Sequence, residues 1–442
     1  MTRLQGILLT LGLAAAASAT LDAGNWPQWR GLDGQGISDE TNLPAEWSPA
    51  KNIAWKTALP GDGQSQPIVW GNRVFLTAAV EGGPAPPGHK APVHLMEGQP
   101  WVHPDSVGVD KLHTMKVLAL DLASGSVLWE RTAYEGPVYD HRHRRSSYAA
   151  PTMVTDGRTV VAYFGPEGLY GYDVDGNLKW KAEVGKFPLL GMGTGTSPVL
   201  FENLVIVQRD ENEGKQSLLL AFDIETGRQV WKTARTVEAS WSTPVVVQAA
   251  GRAELVTNGN QLVVGYDPRT GRELWRTKGV ESNAIHTPLA GHGLVIVTAG
   301  YPAKRVIAIR PGGAGDITGT DRIVWQYDRG TGYVISPILY GDYVYLVSDK
   351  GIISCLDAKT GEVKYEGGRV PVPATFMASP VAFEGKLLLT SIDGDSFVIR
   401  AGPVHEVLAT NSIGEPAAST PSISQGRILV RGARHLFCIT RS

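Results

Sequence analysis

Asp223-Ile-Glu-Thr-Gly-Arg-Gln-Val-Trp231 is a phrase that this chain repeats. It returns as Asp267-Pro-Arg-Thr-Gly-Arg-Glu-Leu-Trp275 and as Asp121-Leu-Ala-Ser-Gly-Ser-Val-Leu-Trp129. Tyr replaces Trp in Asp357-Ala-Lys-Thr-Gly-Glu-Val-Lys-Tyr365, and a shorter copy runs from Asp173 to Trp180. In each copy an apolar run ends in Asp, which bonds its own backbone in turns. Gly then supplies the positive φ of a tight turn, and a short strand ends in the aromatic residue. Each phrase is therefore a β-hairpin. Self-similarity at about 40 to 50 residues marks a solenoid, a propeller or an array.

A second marker fixes the count. A Pro preceded by a small or polar residue opens the next strand at Gln66-Pro67, Ala150-Pro151, Ser197-Pro198, Thr243-Pro244, Thr287-Pro288, Ser336-Pro337, Ser379-Pro380 and Thr420-Pro421. The closing positions are Trp55, Trp129, Trp180, Trp231, Trp275, Trp325, Tyr365 and Leu408. Both sets number eight. Between them lie two further alternating strands, as in Tyr343–Ser348 and Ile352–Asp357 around Asp349-Lys350-Gly351. Four antiparallel strands repeated eight times predict an all-β, eight-bladed β-propeller. The last repeat, from Pro421, lacks its fourth strand, and a spare one stands at Ile53–Leu59. The N-terminal strand is expected to complete the C-terminal blade and so leave no open edge in the ring.

The rest of the chain divides around this ring of residues 53–442. Residues 1–19 read as a cleavable signal peptide, with Arg3, an apolar run from Ile7 to Ala17 and cleavage after Ala19. The apolar run is too short for a membrane span, and no Cys follows the cleavage site to carry a lipid anchor. A periplasmic or secreted protein is expected. Residues 20–52, with Trp26, Trp29 and Trp47, form an N-terminal arm expected to pack on the propeller. Residues 81–112 are an insertion rich in Pro, Gly and His within the first blade, and Pro311–Thr320 expands one Asp-to-Trp turn. Such loops on a rigid scaffold are the usual home of binding surfaces.

Among 442 residues there are 52 Gly and 28 Pro, with 43% hydrophobic and 19% charged residues. This suits a large turn-rich β core. A net charge of −2 provides no basic field for nucleic acid. Cys355 and Cys438 occupy the strand slot that holds Ala119, Gly171, Ala221, Gly265, Ala308 and Val398 elsewhere, and read as small buried hydrophobes.

At these residues the chain resembles the PQQ-like β-propeller repeat family over nearly all of its predicted mature length. The Asp-x-x-Thr-Gly-x-x-x-Trp phrase matches that family's tryptophan-docking repeat. The resemblance implies that Trp129, Trp180, Trp231, Trp275 and Trp325, joined by Trp55 and Tyr365 at the equivalent places, lock each blade to its neighbour. The family includes quinoprotein dehydrogenases that hold pyrroloquinoline quinone on the axis. It also includes cofactor-free members such as the periplasmic scaffold of the outer-membrane β-barrel assembly machinery. The dehydrogenase pattern of adjacent cysteines, calcium-holding acidic side chains and a haem motif is not met here. The clusters Asp210-Glu-Asn-Glu213 and Asp393-Gly-Asp395 read as an exposed loop and a hairpin turn.

Function is therefore sought elsewhere. Six of the ten histidines, His89, His94, His103, His113, His141 and His143, fall between residues 89 and 143. His141-x-His143 is a metal candidate only if its segment is extended. The basic run Asp140–Arg145 reads as a solvated face. Reading back from each Pro collects an axial-mouth set: Gln64, Arg145, Tyr148, Trp241, Asn283, His286, Tyr333, Phe376 and Met377. Aromatic and hydrogen-bonding groups around a concave opening suit a sugar, a peptide turn or a flat ring. No nucleophile motif is present. The preferred reading is a rigid, non-catalytic ligand- or protein-binding scaffold, expected to be a monomer, that uses its axial face and the Glu81–Leu112 loop to meet a protein or glycan partner. The alternatives are a PQQ- and calcium-dependent oxidoreductase with a separate electron acceptor, and a carbohydrate-binding or carbohydrate-active protein. An acidic pair within reach of Trp241 would separate the oxidoreductase from the others.

Overall fold

The computed structural model describes residues 24–442 apart from Glu97, Ser282 and Ser442. The expected signal peptide and the first residues of the arm lie outside the described residues. Eight sheets, each built on four antiparallel strands and two of them extended by a short parallel fifth, form a β-propeller. The first blade runs Ile68–Trp70, Arg73–Pro84, Lys111–Asp121 and Val127–Pro137 from axis to rim. In the eighth, Ser422–Ser424, Arg427–Arg431 and His435–Ile439 are joined on the outside by Ile53–Ala58. Trp55 lies opposite Cys438, so the N-terminal strand closes the ring.

The indole positions explain the repeated phrase. Trp180 pairs with Gly171, Trp231 with Ala221, Trp275 with Gly265 and Trp325 with Ala308. The opposing slot must be small because the indole lies across it: a Cβ on Gly171 would stand 2.2 Å from Trp180 Cε2. Cys355 and Cys438 fill this slot as free, buried thiols opposite Tyr365 and Trp55, and burial pushes both thiols up to about 12. Each indole then reaches the next blade. Trp129 Nε1 donates to Val174 O at 2.9 Å, Trp180 to Ile224 O at 3.0 Å, Trp231 to Pro268 O at 3.1 Å and Trp325 to Ala358 O at 3.1 Å. Trp55 does the same across the closure, to Leu122 O at 3.0 Å.

Three blades depart from this pattern. In the sixth, Tyr365 stands in the indole's place opposite Cys355, and its buried hydroxyl has no hydrogen-bond partner. The expanded turn after the fifth blade's third strand lays Gly315–Asp316 parallel to Glu273–Lys278 of the fourth blade. Trp275 beneath it is fully buried and donates to Glu254 Oε2 at 2.7 Å instead of to a backbone carbonyl. In the seventh blade Val398 faces Ala409, with a bulge that takes up Leu408. The equivalent of the repeat tryptophan there is Ala409 rather than Leu408. The arm brings Trp47 to the same apolar cluster, where Asn411 Oδ1 accepts its backbone N–H at 2.8 Å.

The residues before each Pro form a belt around the axis. Gln66 N–H donates to Thr152 Oγ1, Thr152 N–H to Ser197 Oγ and Ser197 N–H to Thr243 Oγ1, all at 2.9 Å. Farther round, Thr287 N–H reaches Ser336 Oγ, Ser336 N–H Ser379 Oγ and Ser379 N–H Thr420 Oγ1 at 2.9 to 3.1 Å. Gln66 Nε2 meets Pro421 O at 2.6 Å and joins the last blade to the first. In the second blade Thr152 holds the belt position, so the Ala150-Pro151 marker lies two residues upstream of its counterparts.

The arm covers one end of the ring. Trp26 exchanges both backbone hydrogen bonds with Val69 of the first blade, and Pro27 O accepts from Thr155 N of the second. Gln28 Oε1 accepts from Leu200 N of the third, and Gln35 Oε1 from Ala290 N of the fifth. Arg30 Nη2 donates to Pro337 O of the sixth at 3.1 Å. Ile37–Ser38 adds a parallel strand to Val381–Phe383 of the seventh, and Gly24 O accepts from Ser424 Oγ of the eighth. Sheet edges at the axis are thus covered by backbone and amide partners, as buried polar groups require.

Candidate functional site: the mouth opposite the arm

The arm meets the ends of the inner strands. The opposite end is formed by the connections that enter each blade and by the hairpins joining second to third strands. All the axial-mouth residues read from the sequence belong to this end, as does the His-rich insertion.

The insertion is clamped over the second and third blades. His94 Nε2 meets Asp140 Oδ1 at 2.9 Å, with both side chains nearly enclosed, and His94 Nδ1 meets Asn212 Nδ2 at 3.1 Å. Asp140 also accepts the N–H groups of His141 at 2.7 Å and Leu189 at 3.1 Å. Ser106–Val107 pairs antiparallel with Arg142–His143, and Ser106 Oγ donates to Gly191 O at 2.9 Å. The basic run read as a solvated face is therefore partly covered by the insertion.

The sequence-derived set does not converge on one opening. Gln64 Nε2 is tied to Arg145 O, while the Arg145 side chain is exposed. Tyr148 packs edge-on to His113 at 4.6 Å and donates to Asp140 O at 2.9 Å. Trp241 donates through Nε1 to Gly193 O at 2.9 Å and packs beside Leu189 and Ala239. His286 and Phe376 do not reach the mouth surface. His286 is enclosed between Thr298 Oγ1 at 2.7 Å and Tyr333 O at 3.1 Å, and Phe376 packs on Phe397 at 5.9 Å. Burial, with a lesser contribution from Arg30, holds the His286 imidazole down at about 4. Asn283 Nδ2 donates to Tyr333 OH at 3.0 Å, and Tyr301 lies 5.0 Å from the Tyr333 ring. Met377 is half-buried.

Two cavities stand out, and both are small. One, of about 70 Å³, lies under the arm beside Trp29, Asp33 and Thr243. The other, of about 20 Å³, lies beneath the insertion between His141, Tyr148, Glu167 and Thr194. The second has room for a single water, against the several hundred Å³ typical of a pocket for a small organic ligand. Burial raises the Glu167 carboxyl there, although Tyr139 N–H donates to Oε1 at 2.9 Å. His141 Nδ1 is buried without a hydrogen-bond partner.

The acidic residues are likewise engaged. Asp210 and Glu211, read as an exposed loop, are buried. Asp210 meets Arg235 through Nε at 2.8 Å and Nη2 at 3.1 Å. Glu211 accepts from Gln216 N at 2.8 Å and Glu213 N at 3.2 Å. Among the described residues, one group of three metal-donor side chains comes together, His103, Asp105 and His143. His141 is not part of it and lines the small cavity beside Glu167 instead. Asp105 escaped the sequence reading because 38 residues separate it from His143 and only the tertiary strand pairing joins them.

With this geometry in hand, the comparisons place the chain. A family described as outer membrane protein assembly factor BamB matches residues 45–188 and 214–366. The chain belongs to this PQQ-like repeat family. A search of curated proteins found no match. Among solved structures, BamB from Moraxella catarrhalis is 14% identical with a TM-score of 0.54, over 82% of this chain and 98% of that one. The quinohemoprotein alcohol dehydrogenase of Comamonas testosteroni is 12% identical with a TM-score of 0.65, over 96% and 82%. The corresponding enzyme ADHIIG from Pseudomonas putida HK5 is 11% identical with a TM-score of 0.63, over 95% and 80%. At these identities the likeness is one of fold. No helix among the described residues is long and apolar enough to cross a membrane.

Proposed function

We propose that this chain is an exported, non-catalytic scaffold that binds a protein partner on the mouth opposite its arm. The observation that carries the reading is where large apolar side chains stay exposed. Of the thirteen exposed large apolar side chains among the described residues, six lie at this end: Val93, Met96 and Val102 of the insertion, Tyr301 and Tyr333 of the fifth and sixth blades, and Val372 at the entry to the seventh; Val127, Leu128, Leu178, Val230 and Val363 recur instead at the starts of the outer strands. At the mouth they stand on the insertion and the entry loops, where exposed apolar side chains serve an interaction surface, whereas the outer-strand ones repeat with the blades. The family's role in outer membrane protein assembly agrees with that surface.

The axial residues fit a quinone and its calcium poorly. Trp241 is bonded to the Gly193 carbonyl and packs on a mixed aliphatic and aromatic cluster. The nearby acidic run is committed to Arg235 and to backbone N–H groups, and the His103–Asp105–His143 group is nitrogen-rich where calcium takes oxygen ligands. A glycan is the second reading, favoured by one observation: Tyr301 and Tyr333 form an exposed aromatic pair beside the Asn283 amide.

The test is site-specific photo-crosslinking in the native host, at Val102 and Tyr301 on the mouth and at Val404 and Leu128 elsewhere. Defined adducts from the mouth positions alone are expected. Equal labelling at all four sites would defeat the scaffold reading. A titration with PQQ and Ca²⁺, followed by absorbance and melting temperature, is expected to leave both unchanged. Glycan-array binding lost on Tyr301→Ala would favour the second reading.

A further inference from the structure

We propose that His103, Asp105 and His143 form a binding site for a divalent transition-metal ion, of which Cu²⁺ and Zn²⁺ have the matching chemistry. One donor atom from each residue lies within 4.8 Å of the other two. His143 Nε2 and Asp105 Oδ2 are 3.4 Å apart. Two ligands each about 2.0–2.1 Å from a tetrahedral ion stand about 3.3 Å apart. The pair therefore already has coordination spacing, and it is longer than an ordinary N–H···O hydrogen bond. The His103 and His143 rings are 5.7 Å apart between centroids.

The backbone fixes these residues from both sides. The pairing of Ser106–Val107 with Arg142–His143 sets His143 opposite Ser106. Arg144 N–H donates to Asp105 O at 2.8 Å, and Ser106 N–H to His103 O at 3.0 Å. Arg144 Nε holds Asp105 Oδ1 at 2.7 Å, which orients the carboxylate and leaves Oδ2 for the ion. All three residues are half-buried, so an ion can enter and water can complete its shell.

Two features work against binding and set which ions succeed. Arg142, Arg144 and Arg145 surround the site with positive charge. Both Nδ1 atoms accept backbone N–H groups, His103 from Asp105 at 3.0 Å and His143 from Arg145 at 3.1 Å. Ligation through Nε2 moves each ring proton to Nδ1 and gives up these contacts. Ions high in the Irving–Williams order overcome this, and Ca²⁺ and Mg²⁺ do not. A bound ion joins the insertion of the first blade to the strand entering the second, so it acts as a clamp.

The experiment uses the untagged chain, stripped with chelator and titrated calorimetrically with CuCl₂ and with ZnCl₂. One equivalent per chain is expected. Affinity should fall at least about tenfold in His143→Ala and in Asp105→Asn, and stay unchanged in His405→Ala. Electron paramagnetic resonance of the Cu²⁺ form should show nitrogen coupling that is reduced in His143→Ala. Unfolding curves in metal-free buffer verify that each variant is folded, and Asp105→Asn decides the matter if His143→Ala is not. Absence of binding to the wild type, or equal affinity in the Asp105→Asn chain, overturns the proposal.

Discussion

Gly227 lies directly under the indole of Trp180: a Cβ at its position would stand 2.5 Å from Trp180 Cδ2. Its φ is +70°, so the turn needs glycine for its backbone as well as for the close approach. The same holds for Gly176 under Trp129 and Gly361 under Trp325. Gly227→Ala should therefore destabilise the ring by about 2–4 kcal/mol, combining left-handed strain with a forced shift of the indole. Gly251→Ala, at φ +75° with open space around it, isolates the backbone part and should cost about 1–2 kcal/mol. Urea unfolding followed by tryptophan fluorescence measures both.

Asp210 and Arg235 are both fully buried, and two further donors, Ser240 Oγ and Gln208 Nε2, complete the carboxylate. Asp210→Asn leaves the guanidinium enclosed without its counter-charge and should cost about 3–5 kcal/mol. Replacing both, Asp210→Leu with Arg235→Met, should cost less than the single change, because no enclosed charge is left behind. A larger loss in the double variant would show that the pair contributes through its packing instead.

The sequence made the ring legible because the fold writes the same constraint eight times. Trp180, Trp231 and Trp325 need a small residue opposite and a glycine next door, and both appear at fixed offsets. Even the closure by Trp55 followed from counting strands. The mouth was less legible because its contacts cross the repeat. His94 finds Asp140 and Asn212, and His143 finds Asp105, through an insertion that has no counterpart in other blades. Offsets from Pro gathered His286 and Phe376 with Tyr333, yet the first two turn inward and the third outward, a difference that period alone does not encode.

The seventh blade carries Ala409 where its neighbours carry an aromatic, and Trp47 joins the same apolar cluster from the arm. Trp47→Ala should cost about 3–5 kcal/mol, the usual range for a buried indole. Hydrogen exchange should locate the effect in Asp395–Arg400 and Val407–Ser412, with the second blade unchanged. Uniform loosening of all blades would mean that the arm acts on the ring as a whole.

His286 gives the fold a specific sensitivity to acid. Its Nε2 donates to Tyr333 O and its Nδ1 accepts from the Thr298 hydroxyl, so the enclosed ring is neutral. Its folded value of about 4 lies below the 6.5 of a free imidazole. The unfolded chain therefore binds the proton first as pH falls. Stability from this group is full above pH 6.5 and declines as pH falls from there to about 4, below which both states are protonated and the slope ends. At 1.36 kcal/mol per pH unit the loss is about 3 kcal/mol. In His286→Gln that increment should vanish, leaving a shallower decline between pH 6.5 and 4 from the remaining groups. Unfolding free energies at pH 7, 6 and 5 for both proteins measure the difference. Parallel curves would mean that His286 is protonated in the fold, with the Thr298 hydroxyl turned to accept.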